Sequence, residues 1–149
     1  MKHRVEPGRL SGTVRILAID YGRVRVGMAV AHETAGIPRP LPVVHLDTGF
    51  WAMLRDVVSQ WEVGRIVVGL PLIKGGEEGE MAVEAREFAQ RVQRETQLPV
   101  ELWDEGLTTW EAKGVLRGRG VSERRQKGKR DSVAAALLLE RYLKTRVGR

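Results

Sequence analysis

The first half of the chain alternates short apolar runs with polar turns at the spacing of β-strands. Residues 14–20 and 25–31 are mostly apolar, and the Tyr-Gly-Arg-Val between them has the length and the glycine of a hairpin turn. A third run covers 41–46, where nearby prolines favour a loop or an edge strand. Three early strands with short connections predict an antiparallel half of a sheet.

The second half alternates predicted strands with predicted helices. Strands are expected over 65–70 and 100–103, and the second of them runs into Asp104. Four helices are expected: one capped by Asp47 and continuing to Trp61, and others at 80–96, 110–117 and 131–144. The apolar side of the last helix would consist of Val133, Ala134, Leu137, Leu138 and Tyr142. This alternation predicts one α/β domain over 14–149 with parallel strands added to the sheet, behind a flexible tail over 1–13.

Composition excludes several classes of site. The chain has no cysteine, so it has no disulfide, thiol nucleophile or cysteine zinc site. The three histidines are scattered, and the GxxxxGK[ST] motif of P-loop ATPases is absent. The N-terminal residues lack the apolar core of a signal peptide, and no run approaches membrane-spanning length. We therefore expect a cytoplasmic protein that has no membrane partner.

Positive charge is concentrated near the C-terminus. The net charge is +6, yet residues 113–130 alone contain eight basic residues and only one acid. Such a patch suits a polyphosphate partner, although a solvated, flexible loop is an equally ordinary use of a basic run. The basic residues are Lys113, Arg117, Arg119, Arg124, Arg125, Lys127, Lys129 and Arg130.

Carboxylates stand where predicted elements end or begin. Asp20 ends the first strand, Asp104 and Glu105 end the last strand, and Asp131 opens the final helix. Binding and catalytic sites of α/β sheets lie at the carboxyl ends of the strands. Carboxylates that converge there repel one another unless a cation lies between them. Oxygen ligands without Cys or His favour Mg²⁺ or Mn²⁺, a pair of which can hydrolyse a phosphodiester.

Each acid also has a structural explanation. Asp20 could serve the turn that follows it, and Asp131 could be a helix N-cap because Gly128 disfavours helix just before it. Asp104 and Glu105 could be solvated loop acids or could accept hydrogen bonds from the next helix. Taken singly, each of these explanations is at least as good as catalysis.

Four segments carry motifs that occur in a fixed order. The first, ILAIDYGRVRVG, holds Asp20, Gly22, Arg25 and Gly27 in an Asp-x-Gly-x-x-Arg-x-Gly pattern. The others are VVGLP, DEGLTTWEA and KGKRDSVAAALLLERYL. Together they resemble the YqgF family, also called RuvX, whose members are similar to Holliday-junction resolvases and act as nucleases on the precursor of 16S rRNA. The similarity covers nearly the whole chain.

The resemblance implies an RNase H-like α/β fold: a five-stranded mixed sheet flanked by helices, with the first strand central and the last at an edge. It implies that Asp20, Glu105 and Asp131 are catalytic and bind Mg²⁺ or Mn²⁺, with Asp104 as an adjacent candidate ligand. Nucleic acid is the expected partner. Its expected contacts are Arg25, Lys113, Arg117, Arg124, Arg125, Lys127, Lys129 and Arg130.

Two departures from the family pattern bear on activity. Gly106 stands where relatives usually carry an arginine, and His32 follows the second strand where the family often has an aspartate. His32 is therefore expected near the substrate, although a lone histidine is more often structural. The favoured hypothesis is a metal-dependent endonuclease that processes the 5′ end of pre-16S rRNA. The alternatives are a Holliday junction resolvase and a non-catalytic nucleic-acid-binding module, with either a monomer or a homodimer as the functional unit.

Overall fold

The computed structural model describes residues 14–34, 37–70, 79–104 and 123–147, without the side chains of 104, 123–132 and 146–147. The described residues form five strands and three helices. The strands are β1 (Arg15–Asp20), β2 (Arg25–His32), β3 (Arg39–His45), β4 (Val63–Leu70) and β5 (Val100–Asp104), and the helices are α1 (Phe50–Trp61), α2 (Glu80–Thr96) and α3 (Glu123–Val147). The predicted tail over 1–13 and the predicted helix over 110–117 lie outside the described residues.

The strands make one mixed sheet in the order β3-β2-β1-β4-β5. β1 and β2 form an antiparallel hairpin, and β3 pairs antiparallel with β2. β4 and β5 run parallel to β1 because α1 and α2 carry the chain back across the sheet between strands. The expected mixed sheet, with β1 at its centre and β5 at an edge, is therefore confirmed.

The central strand β1 is covered on both faces of the sheet. Leu17 and Ile19 pack on the side of α1 and α2, which we call the α1/α2 face. Ile16 and Ala18 alternate with them and pack against α3 on the opposite side, which we call the α3 face. All four side chains are fully buried, so β1 holds the two layers of the core together.

The α1/α2 face is held by an aromatic cluster between the two helices. Phe50 of α1 lies 5.8 Å from Phe88 of α2, and Trp51 lies 5.5 Å from Phe88, measured between ring centroids. The Arg91 guanidinium stacks over the Trp51 ring at 4.3 Å and closes the outer side of this cluster. These contacts fix α1 against α2 above the sheet.

The α3 face is packed by the C-terminal half of α3. Small residues on the strands, such as Ala18 and Ala29, let the buried side chains of α3 approach the sheet closely. The Tyr142 hydroxyl donates a hydrogen bond of 2.8 Å to Glu101 Oε1 on β5, and its ring meets Trp103 edge-on. The residues of α3 that are buried here are Ala134, Ala135, Leu138, Leu139, Tyr142 and Leu143.

Two predicted helix starts are wrong. α3 begins at Glu123 rather than at 131, so Gly128 and Asp131 lie inside the helix and Asp131 is not its N-cap. A helical glycine costs only about 1 kcal/mol relative to alanine, and the arginines, lysines and glutamine around it favour helix. α1 begins at Phe50, because Asp47 Oδ1 accepts the Gly49 N–H in a turn before the helix. No described helix is long and apolar enough to cross a membrane.

Neighbouring leucines on α3 test this packing. Leu138 is 1% exposed, whereas Leu137 is only partly buried, although both were expected on the apolar side. We expect Leu138→Ala to lower the free energy of unfolding by about 2–5 kcal/mol, because it leaves a cavity in the core. Leu137→Ala should cost clearly less in the same urea titration. Equal losses would contradict the orientation of α3 described here.

Candidate active site

Asp20 lies at the carboxyl edge of the sheet. It ends β1, shares the α3 face with Ile16 and Ala18, and is half-buried. β4 and β5 are parallel to β1, so their carboxyl ends reach the same edge. This is the edge at which α/β sheets bind their ligands.

The neighbours of Asp20 across the sheet are glycines. Gly27 of β2 pairs with it directly. The parallel register pairs Ile19 with Val68, and the next position along β4 is Gly69. Gly69 in turn pairs with Trp103 on β5. On the α3 face, the row at the level of Asp20 therefore runs Gly27, Asp20, Gly69 and Trp103.

The last strand, β5, ends at Asp104, the first acid of the predicted pair. Glu101 and Trp103 contact α3 residues, so they lie on the α3 face. Asp104 ends the strand at a position on the opposite face, as alternation requires. Glu105 lies outside the described residues. In the sheet, β4 separates β5 from β1.

The third predicted acid belongs to the helix that covers the α3 face. Asp131 occupies a position inside α3, four residues before Ala135, which is fully buried against the sheet. Positions four residues apart share one face of a helix. Asp131 thus shares a helical stripe with a residue that packs on the face where Asp20 lies.

The predicted ligands have the donor chemistry of a hard divalent cation, and the structure places one of them, Asp20, at this edge. Three carboxylates without a thiol would be the donor set that Mg²⁺ and Mn²⁺ favour. Gly27 and Gly69, beside Asp20 on the neighbouring strands, carry no Cβ atom, so neither strand places a side chain next to its carboxylate. Among the described side chains, no three acidic or histidine groups come together, and Glu105 and the Asp131 side chain are not in that set.

The predicted basic residues fall into three groups. Arg25 begins β2 and alternates with Gly27, which gives it a position on the α3 face at the same edge as Asp20. Lys113 and Arg117 lie outside the described residues. The remaining five, Arg124, Arg125, Lys127, Lys129 and Arg130, lie in the first two turns of α3, ahead of Asp131. This part of the basic run is helical and is not a loop.

His32 is not in the region where it was expected. It pairs with Arg15 at the start of β1, whereas Asp20 lies at the other end of that strand. β2 runs antiparallel to β1, so its carboxyl end lies at the opposite edge of the sheet. The expectation that His32 contacts the substrate is therefore wrong for a site built on Asp20.

A network that the sequence did not reveal anchors the turn after Asp20. Arg23 donates two hydrogen bonds to Glu84 of α2, from Nε at 2.8 Å and from Nη2 at 2.7 Å. The Tyr21 hydroxyl donates to the same carboxylate at 3.3 Å, and its ring packs on Phe88. Gly22 keeps the turn tight, since a Cβ there would lie 2.3 Å from the Arg25 carbonyl oxygen. About 60 residues separate the two sides of the network, so no local pattern could have indicated it.

This network shifts the ionisation of its members. Hydrogen bonding from Arg23 lowers the pKa of the Glu84 carboxyl below its ordinary value. Burial raises the pKa of the Tyr21 hydroxyl, and the nearby Glu84 charge raises it further. Ionised Glu84 therefore stabilises the folded state and holds the turn that follows the candidate catalytic aspartate.

Comparison with solved structures defines the class of fold. The structure titled "T. thermophilus RuvC in complex with Holliday junction substrate" matches with a TM-score of 0.55 at 21% identity, covering 91% of this chain and 97% of that one. A second structure of Thermus thermophilus RuvC matches with a TM-score of 0.52. The chain therefore has the α/β fold of RuvC, which is RNase H-like, as the resemblance implied.

The sequence comparisons then identify the family. The family model RuvX, described as Holliday junction resolvase, matches residues 14–145, and this chain belongs to that family. A protein of Anaeromyxobacter sp. (strain Fw109-5) is 44% identical over 132 residues, which span 87% of this chain and 96% of the relative. A protein of Salmonella newport (strain SL254) is 37% identical over 135 residues, which span 89% and 96%. Both carry the name "Putative pre-16S rRNA nuclease".

The pKa shift of Glu84 gives a pH-dependent prediction. Because the folded state lowers this pKa, the stabilisation is complete above the ordinary value of 4.5 and is lost as the pH falls through the folded-state pKa. Glu84→Gln should thus lower the melting temperature at neutral pH and have a smaller effect in acid. Thermal unfolding at both pH values measures this difference.

A neighbouring variant controls for the loss of one charge. Glu87→Gln removes an exposed carboxylate one turn further along α2 and should change the melting temperature little at either pH. A loss for Glu84→Gln that is the same at neutral and acid pH would show that the ion pair with Arg23 does not cause it.

Proposed function

We propose that this protein is a divalent-metal-dependent endonuclease that processes the 5′ end of the 16S rRNA precursor in the cytoplasm. The observation that carries the proposal is the position of Asp20. It ends the central strand at the carboxyl edge, on the face that α3 covers. Membership of the RuvX family supports phosphodiester hydrolysis, and the names of the relatives support the choice of substrate.

Asp20, Glu105 and Asp131 would hold the cation in this proposal. Asp20 would supply a carboxylate from the central strand of the sheet, and Asp131 would supply one from α3, the helix that covers this face. Glu105 has the longer side chain, which suits an acid that must reach across β4. A bound Mg²⁺ or Mn²⁺ would supply an activated water and would stabilise the negative charge that develops on the phosphate and on the leaving oxygen.

Asp104 is the weaker candidate of the acid pair. Its position at the end of β5 shares a face with Leu102, which packs with α1/α2-face residues, and Asp20 lies on the other face. A carboxylate at that position would have to pass around the strand to reach the same cation. Glu105 is therefore the better candidate for the ligand contributed by the acid pair.

The basic residues would bind the phosphate backbone rather than take part in the chemistry. Arg25 lies at the edge and on the face of Asp20, and it is the candidate for the phosphate next to the cut. The arginines and lysines in the first turns of α3 would hold the flanking phosphates. Gly106 supplies no side chain where relatives usually carry an arginine. Arg25 and the basic residues of α3 would then provide the positive charge.

A second candidate function follows from the description of the family. The family model is described as Holliday junction resolvase, and cleavage of a junction needs the same acids and a similar basic surface. A resolvase cuts two strands symmetrically, which requires two copies of the site related by a two-fold axis. Substrate preference and oligomeric state therefore separate the two functions.

Removal of the acids tests the enzyme directly. We expect Asp20→Asn and Glu105→Gln each to lower Mn²⁺-dependent cleavage by about 100-fold or more, because each removes a charged ligand, while nucleic-acid binding persists. Asp56→Asn is a matched control, since it removes an exposed carboxylate from α1 on the other face. Gel-based cleavage and fluorescence anisotropy supply the two measurements.

The substrates in that assay decide between the candidates. A fragment of the 16S rRNA precursor, a four-way DNA junction and a plain single strand are compared with Mg²⁺ and with Mn²⁺. Preferential cutting of the RNA fragment supports the proposed function, and symmetric cutting of the junction supports the second candidate. If the protein binds these substrates but cleaves none of them with either metal, it is a non-catalytic nucleic-acid-binding module.

The salt dependence of binding tests the basic surface. The logarithm of the association constant should fall with the logarithm of salt concentration by about 0.9 for each duplex phosphate that is neutralised. Changing Arg124, Arg125 and Lys127 together to alanine should make this slope shallower. Arg94→Ala, which removes an exposed charge from α2, should leave it unchanged. An unaltered slope in the triple variant would exclude these residues from the binding surface.

A further inference from the structure

The glycines on both sides of Asp20 are unusual for the face on which they lie. One row further into the sheet, Ala18 lies between Ala29 and Val67, so both of its neighbours carry side chains. Only the row that contains the carboxylate has glycine on both neighbouring strands among the described rows of this face. We call Gly27, Asp20 and Gly69 the glycine row.

The two glycines of the glycine row lower the stability of their strands, so strand formation does not explain why they are there. Glycine in the interior of a strand loses more conformational entropy than alanine and packs no side chain against its neighbours. Gly27 and Gly69 are buried, so an added methyl group would take up volume inside the protein. A glycine at such a position often marks the close approach of a ligand or of another group.

Glycine at both positions keeps the two strands beside Asp20 free of side chains at its level. Cβ atoms of directly paired strand residues lie roughly 5 Å apart, so alanine at either glycine would place a methyl group close to the carboxylate. Mg²⁺ and Mn²⁺ bind carboxylate oxygens at short distance and usually keep several waters, which must fit into the same space.

We propose that Gly27 and Gly69 are determinants of metal binding, because the missing side chains leave room for a hydrated divalent cation beside Asp20. The inference rests on the proposed function. The inference concerns the position of the cation and the side chains that would exclude it. The proposed function concerns the nucleic acid that is cleaved. The inference assigns a role to two residues that are neither ligands nor acids.

Paramagnetic broadening by Mn²⁺ locates the cation in the wild-type protein. In amide NMR spectra of the labelled chain, the signals of Gly27 and Gly69 should disappear at Mn²⁺ concentrations well below one equivalent. Gly64, at the other end of β4 and roughly 16 Å from Gly69, is the internal control and should persist. Persistence of Gly27 and Gly69, or equal loss of Gly64, would overturn the proposal.

Alanine variants test the requirement for glycine. Gly27→Ala and Gly69→Ala should each weaken Mn²⁺ binding by about tenfold or more, measured by electron paramagnetic resonance, because the methyl group crowds the hydrated ion. Gly49→Ala is the control, since the added Cβ there meets only Asp47 Oδ1 at 3.6 Å. Wild-type affinity in folded variants of the glycine row would refute the requirement. If one variant does not fold, the Mn²⁺ affinity of the other decides.

These measurements separate the inference from the proposed function. Selective broadening of Gly27 and Gly69 in a protein that cuts no substrate would support the metal site and refute the nuclease. Cleavage by the wild type, together with wild-type Mn²⁺ affinity in both alanine variants, would support the nuclease and refute the role of the glycines.

Discussion

The burial of β1 on both faces is the constraint on which the rest of the molecule depends. Ile16 to Ile19 are all apolar and fully buried, two on each face. The first polar residue after them, Asp20, therefore stands where the covered strand ends. The alternation of the four residues before it decides its face, so packing of the core also sets the position of the candidate catalytic acid.

The two faces of the sheet make different contributions to this edge. On the α1/α2 face, Glu84 holds Tyr21 and Arg23, which fixes the turn directly after Asp20. On the α3 face, small strand residues allow a long helix to lie close to the sheet, and the N-terminal part of that helix carries the basic residues. A turn fixed from one side and a charged helix on the other suit a site that must hold a polyanion near a rigid carboxylate.

Much of the fold could be read from local patterns, and the errors have identifiable physical causes. α2 has the predicted bounds because its apolar residues repeat without interruption from Glu80 to Thr96. The predicted start of α3 is wrong because Gly128 and Asp131 resemble a helix boundary, whereas the helix tolerates both. His32 lies away from Asp20 because β2 is antiparallel to β1, so the two strands end at opposite edges of the sheet. Glu105 and the Asp131 side chain lie outside what is described, so the complete acid set stays a prediction.

The edge strand β3 limits how copies of this protein could associate. Pro40 and Pro42 lie in it, and neither has an N–H to donate to a further strand. A second chain could therefore not extend the sheet along this edge with a regular ladder of hydrogen bonds. Any pairing of two active sites would have to use side-chain surfaces or the opposite edge. The strand order that places β1 at the centre of the sheet also places the proline-containing β3 at an edge, and it thereby limits how the protein can assemble.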